Sequence, residues 1–233
     1  MKRFYKDVTL EAGEGGTRLL LDGRPVKTPG KKLLLLPDGA FAEAVADEWR
    51  AQEEEIDPRT MPLTRLANTV IEGVVTNAEE VRANLCAYGE TDHLCHWAAA
   101  PEKLVARQAE QWQPVLDWWA RERYARFKIA QGIVAVEQDE AALARLKEEI
   151  AAFDPFALAA LHEMTSLTGS VVLAVATARG AVDPATAWDA AHVDEAFQIE
   201  EWGEDEEARA RHEMRRAAFL DAVHALRLLG VLD

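Results

Sequence analysis

Asp92, His93, Cys95 and His96 stand almost contiguously, with Cys86 a short way upstream. Zinc accepts all of these ligand types. A metal held there would polarise a substrate and activate water, which is the chemistry of a small hydrolase. The spacing argues against it. Structural zinc sites draw ligand pairs from two separated knuckles, and the other histidines (His162, His192, His212 and His224) fall on helical sequence with no evident pairing. Cys86 and Cys95 also fit as small buried hydrophobes. Packing is the favoured reading of the cluster. A metal-dependent hydrolase built on His93, Cys95 and His96 is the alternative.

Other catalytic patterns are missing. The chain has no Gly-x-x-x-x-Gly-Lys-Ser/Thr loop and no Gly-x-Ser-x-Gly elbow, and His162-Glu163 lacks the second histidine of His-Glu-x-x-His. Gly13-Glu14-Gly15-Gly16 is glycine-rich, but no helical pattern follows to present amides to a phosphate. These motifs assign no catalytic residue, metal ligand or cofactor.

Glu195 is the most unusual single residue. On a helix expected over 184–202, Trp188, His192, Glu195, Ile199 and Trp202 fall along one stripe, with Val193 and Phe197 on the opposite side. Apolar residues on both sides suit a helix buried between layers. A carboxylate there needs a partner, from His192 or from a cation on another helix. The other reading is a partly exposed stripe with Glu195 in solvent. The acidic run 200–207 adjoins Trp202 and is a better docking candidate than Glu53–Glu55. Glu195, Glu201, Trp202 and Glu204 are the candidate partner-binding residues. Among the other tryptophans, Trp112 and Trp119 share a face expected in the core.

The elements that must position these residues change character along the chain. Val8–Leu10 and Thr17–Leu21 read as strands, and Asp22-Gly23 is a two-residue hairpin signal with a return over Arg24–Lys27. Leu33–Leu36 is a further short apolar run. Phe41, Val45, Trp49, Gln52 and Ile56 then keep helical spacing over 40–56, ended by Asp57-Pro58. Leu63, Leu66, Ala67, Val70, Ile71 and Val74 form the next stripe, and helical patterns continue to the end. Asp154-Pro155 and Asp183-Pro184 read as caps followed by a proline in the first turn. The expected fold class is α+β: a β-containing N-terminal domain over residues 1–60 and an all-helical domain over 61–233.

Composition narrows the partners. Asp plus Glu number 41 against 26 Lys plus Arg, a formal net charge of -15. Such a surface is repelled by nucleic-acid phosphates and by anionic membranes. The longest apolar run, Val171–Ala176, is too short to span a bilayer. Two cysteines and no secretory apolar region point to a reducing compartment. The first residues do not read as a mitochondrial presequence, so a bacterial cytoplasmic protein is expected.

Several segments together resemble the chaperones that escort the alpha subunit during F-type ATP synthase assembly. They are Leu21-Asp22-Gly23-Arg24-Pro25-Val26-Lys27-Thr28-Pro29, Glu48-Trp49, Ile56-Asp57-Pro58 and Met61-Pro62-Leu63-Thr64-Arg65-Leu66-Ala67-Asn68-Thr69. Thr168-Gly169-Ser170, Asp194-Glu195 and Trp202-Gly203-Glu204-Asp205 continue the likeness over nearly the whole chain. The resemblance implies a protein that binds unassembled alpha subunit until beta replaces it, with no catalysis and no cofactor; a monomer when free is expected. It also implies a functionally important glutamate near the C-terminus, for which Glu195 is the candidate and Glu200, Glu201 and Glu204 are rivals. Where the family has Asp-Leu-Leu-Cys-Tyr, this chain has Asp92-His93-Leu94-Cys95-His96, so the histidines look like local substitutions. Trp112-Gln113-Pro114 stands where relatives carry Trp-Asp-Pro. A helical adaptor for another protein is a further alternative.

Overall fold

The computed structural model describes residues 1–132, 136–203 and 205–232. A small antiparallel sheet at the start of the chain is followed by helices, the α+β class expected from the sequence. β1 (Val8–Gly13) and β2 (Gly16–Leu21) form a hairpin, and β3 (Arg24–Pro25) and β4 (Leu35–Leu36) each pair with β2. Asp22 and Gly23 make the β2–β3 turn with φ of 47° and 75°, the left-handed pair that a tight hairpin demands. The Asp22 carboxylate also accepts from the amides of Lys6 and Asp7, at 3.0 and 2.8 Å. The return strand is shorter than expected. Beyond Pro25, Lys27 pairs with Leu33 instead of continuing along β2.

α1 (Ala40–Arg50) also stops short of the expected 40–56. Gln52 closes the loop that replaces its last turn: Nε2 donates to the Glu48 carbonyl (3.0 Å), and Oε1 accepts from the Asp57 amide (2.8 Å). That loop pairs with the chain start, Ile56 N–H donating to Met1 C=O at 2.7 Å and Arg3 N–H to Glu54 C=O at 2.9 Å. Tertiary pairing here overrides a helical period. α2 (Pro62–Thr69) begins beneath Glu48, whose carboxylate accepts from the Leu63 amide (2.7 Å), the Thr64 amide (2.8 Å) and the Thr64 hydroxyl (2.6 Å). An anion at that position satisfies otherwise orphaned N–H groups and complements the helix dipole.

The remaining helices are α3 (Ala78–Tyr88), α4 (Glu102–Glu122), α5 (Glu140–Ala151), α6 (Pro155–Thr168), α7 (Val171–Ala178), α8 (Pro184–Ala191), α9 (Val193–Trp202) and α10 (Glu206–Leu228). Asp154 and Asp183 cap α6 and α8 as expected. Every residue of α7 is buried, with α3, α4, α5, α6 and α8 packed around it. Its unbroken apolar sequence suits that central place. Trp112 and Trp119 of α4 are fully buried, their indole N–H groups donating to the carbonyls of Ala190 (2.7 Å) and Val172 (2.9 Å). One apolar cluster runs from Leu19 in β2 to Leu232, so the sheet and the helices share a core. Among the described residues, no helix is long and apolar enough to cross a membrane.

The single helix expected over 184–202 is two. His192 separates them at φ −116° and ψ 19°. Its Nδ1–H donates to the Trp188 carbonyl at 2.8 Å, taking the acceptor that a continuing helix would give to the His192 amide. That amide turns to Asp189 C=O instead, at 3.2 Å.

Candidate functional site

Asp92 belongs to a packed corner. It is fully buried; Oδ1 accepts from the Ser170 hydroxyl (2.6 Å) and the Leu94 amide (3.0 Å), and Oδ2 accepts from the Val172 amide (2.9 Å). Asp92 and Ser170 thereby cap α7, the Ser170 hydroxyl oxygen accepting from Leu173 N–H at 2.9 Å. Gly169, at φ 70°, turns α6 into α7 at the same corner. Burial pushes the Asp92 carboxyl up to about 6, against the opposing pull of its hydrogen bonds. Cys95 is buried, and desolvation drives its thiol far above the usual range, so it offers no thiolate. His93 packs edge-on against Trp112 at 5.1 Å. Among the described residues, Asp92, His93, Cys95 and His96 do not gather three ligand atoms within 4.8 Å of one another.

Among the described residues, only His192, Glu195 and His212 gather three ligand atoms, within 4.8 Å of one another. Hydrogen bonds decide what this trio can do. Trp188 Nε1–H donates to His212 Nε2 at 3.0 Å. A neutral His212 that accepts at Nε2 carries its proton on Nδ1, the nitrogen facing Glu195. Metal ligation by Nδ1 would move that proton to Nε2, against the indole N–H. The Trp188 indole therefore suits His212 to the role of a fixed imidazole better than to that of a metal ligand.

Glu195 lies in the first turn of α9, and its side chain is 51% exposed, so the solvated reading is the one observed. Oε2 is 3.6 Å from His212 Nδ1, and Oε1 is 3.8 Å from Arg215 Nη1. Both distances exceed hydrogen-bond length. The carboxylate is flanked by donors and bonded to neither. Beside it, α9 and α10 enclose an open groove of about 450 Å³, lined by Glu195, Ile199, Trp202, Ala208, Arg211 and Arg215. Trp202 is 87% exposed, the most of any large apolar side chain among the described residues. Gly203, at φ 83°, ends α9, and the Asp205 carboxylate caps α10 by accepting from Ala208 N–H at 2.8 Å.

Of the four candidate residues, Glu195 and Trp202 share this groove. Glu201 sits toward α4, 3.7 Å from Lys103 Nζ, and next to it Glu200 accepts a two-pronged ion pair from Arg107 at 2.7 and 2.6 Å. Glu204 lies outside the described residues. Gln108 of α4 donates to Asp194 at 2.7 Å, so α9 is clamped to α4 along one side and open along the other. Sequence reasoning missed His212, Arg211 and Arg215. A partial signal was present, since Arg211 and Arg215 are one turn apart and so share a face of their helix. A second groove, of about 510 Å³, lies between α2, α6 and α10, with Leu66, Val74, Ala218, Arg65 and Asp221 among its lining residues. Among the described residues, its lining holds no Phe, Tyr or Trp.

Together these features define a class: an α+β protein with a small sheet, a helical body built around a buried central helix, and an exposed tryptophan beside a charged groove. The chain belongs to the ATP12 chaperone protein family, whose profile matches residues 2–120. The match extends through the groove in solved structures. Atp12 from Paracoccus denitrificans is 47% identical, with 97% of each chain covered and a TM-score of 0.94. An aspartate-to-lysine mutant of that protein matches at 46% identity, the same coverage and the same TM-score. The relative therefore keeps its fold through a charge reversal. The mitochondrial atp12 protein of Schizosaccharomyces pombe is 23% identical over 219 residues, 89% of this chain and 75% of the relative.

Proposed function

We propose that this chain is an assembly chaperone of F-type ATP synthase that binds the unassembled alpha subunit and keeps it from aggregating until beta takes its place. The supporting observation is the pairing, in one open groove, of a tryptophan exposed to 87% with a carboxylate that has no hydrogen-bond partner among the described residues. Membership of the ATP12 family supports the chaperone reading. An unassembled subunit displays an apolar surface meant for its neighbour, and such patches drive aggregation. A tryptophan anchor with charged groups at its edge covers a patch of that kind, while charge speeds encounter more than it strengthens the complex. That balance suits a partner that must later be displaced. On this reading the protein acts in a bacterial cytoplasm, is monomeric when free, and performs no catalysis.

The test is co-expression with the host's alpha subunit, without beta, followed by size-exclusion chromatography. Co-elution, with more soluble alpha than in a control lacking this chain, is the expected result. Alpha that still aggregates while this protein elutes alone overturns the assignment.

A further inference from the structure

We propose that Trp188 and His212 are positioning residues for Glu195: the buried indole N–H fixes the His212 ring with its proton on Nδ1, and so presents a donor to the carboxylate on the groove wall. The inference rests on the reading of Glu195 as a client contact. Trp188 is 1% exposed and uses both of its polar groups locally. Its carbonyl accepts from His192 Nδ1–H at 2.8 Å, and its indole donates to His212 Nε2 at 3.0 Å. The three rings are packed together. Trp188 lies 3.9 Å from His192 and 5.2 Å from His212 between centroids, with 5.0 Å between the histidines, and Phe219 backs the indole at 5.5 Å. The His212 ring is therefore held on one side by Trp188 and His192, with 30% of its side chain exposed.

An unconstrained neutral histidine side chain favours the proton on Nε2. Here that nitrogen meets a donor, so the less common Nδ1–H form is imposed, and it points at Glu195 Oε2 across 3.6 Å. The other flanking donor is tied elsewhere: Arg215 Nη2 donates to the Leu167 carbonyl at 2.8 Å, which restrains the guanidinium at 3.8 Å from Oε1. His212 is the closer donor. A supporting residue that fixes a tautomer and aims its neighbour is a recurrent device around functional groups.

The test is nitrogen-15 spectroscopy of the histidine rings at pH about 8, above the ordinary histidine range of about 6.5, read together with the carbon-13 carboxylate resonance of Glu195. In the unaltered protein, His212 should be protonated at Nδ1. In Trp188→Phe, which removes the N–H but keeps an aromatic ring, the His212 proton should shift to Nε2 and the Glu195 resonance should move. Alpha-subunit binding should then weaken about threefold to tenfold, because the carboxylate faces an imidazole lone pair instead of the Nδ1–H dipole. His212→Asn keeps a donor near the Nδ1 position and should bind within about twofold of the unaltered protein, while His212→Ala should match Trp188→Phe. If Trp188→Phe does not fold, the two His212 variants carry the comparison. An Nε2–H form in the unaltered protein, or a Glu195 resonance indifferent to the His212 tautomer, overturns the proposal. Failure of the unaltered protein to bind alpha overturns the client assignment instead and leaves the spectroscopic result to decide the positioning.

Discussion

Asp92 and Glu195 each place a carboxylate at the N-terminal end of a helix, and the two ends have opposite fates. Asp92 accepts three hydrogen bonds, two at α7, and is sealed from water. Glu195 rides the first turn of α9 with half its side chain in solvent, between two donors that stay beyond bonding distance. A carboxylate whose acceptors are all used joins elements together. One whose acceptors are open, beside an exposed tryptophan, can join this molecule to another. Residue type and helix position alone do not separate these roles; the count of unused acceptors does.

The contrast can be broken most sharply at the buried end. Asp92→Ala leaves the Ser170 hydroxyl and two amides without their acceptor, and should cost roughly 3–5 kcal/mol in urea unfolding. A loss below about 1 kcal/mol would remove the distinction between the two sites.

Next in size is a pH effect of the same group. The Asp92 carboxyl moves from 3.8 up to about 6 on folding, so the folded state favours the protonated form. Its contribution is full below pH about 4 and is lost as pH rises through about 6, a change on the order of 3 kcal/mol. The readout is the stability of the native sequence relative to Asp92→Asn across that window. The difference is needed because Asp57, held down to about 2 by its hydrogen bonds with Arg59, titrates with the opposite sign at lower pH.

At the exposed end, Trp202→Ala should leave the unfolding midpoint unchanged and weaken alpha-subunit binding about thirtyfold, the cost of a tryptophan anchor. Glu195→Lys places a cation beside His212 and Arg215. It should weaken binding about tenfold in calorimetry, with the fold retained. Global unfolding of Glu195→Lys would show that this carboxylate is also a structural joint, and the comparison with Asp92 would collapse.

Features specified by adjacent residues were legible in the sequence. The Asp22-Gly23 turn, the Asp154 and Asp183 caps and the buried face of Trp112 and Trp119 depend on their own neighbours, and the structure matches them. The misses are tertiary. α1 ends at Arg50 because Gln52 and the chain start compete for the backbone that would have continued it. The break at His192 arises because an imidazole, not an amide, takes the Trp188 carbonyl. At the groove, Glu195 and Trp202 were found through stripe and composition, whereas His212 and the arginines of α10 entered only once that helix folded back. The segments that carry the family likeness lie largely at joints. Glu48 caps the Met61–Thr69 segment, and Thr168-Gly169-Ser170 makes the corner that Asp92 holds.

The wholly buried α7 has a consequence for how this molecule breathes. A short helix that is apolar on every side cannot unravel into water alone without exposing all of its faces, so its amides should trade hydrogen for deuterium only when the entire chain opens. The α9 amides, with water along much of the helix, should trade through small local excursions. Isotope uptake at Val171–Ala178 would then report the global unfolding free energy, while uptake at Val193–Trp202 would report the looseness of the docking helix, two clocks readable in one experiment.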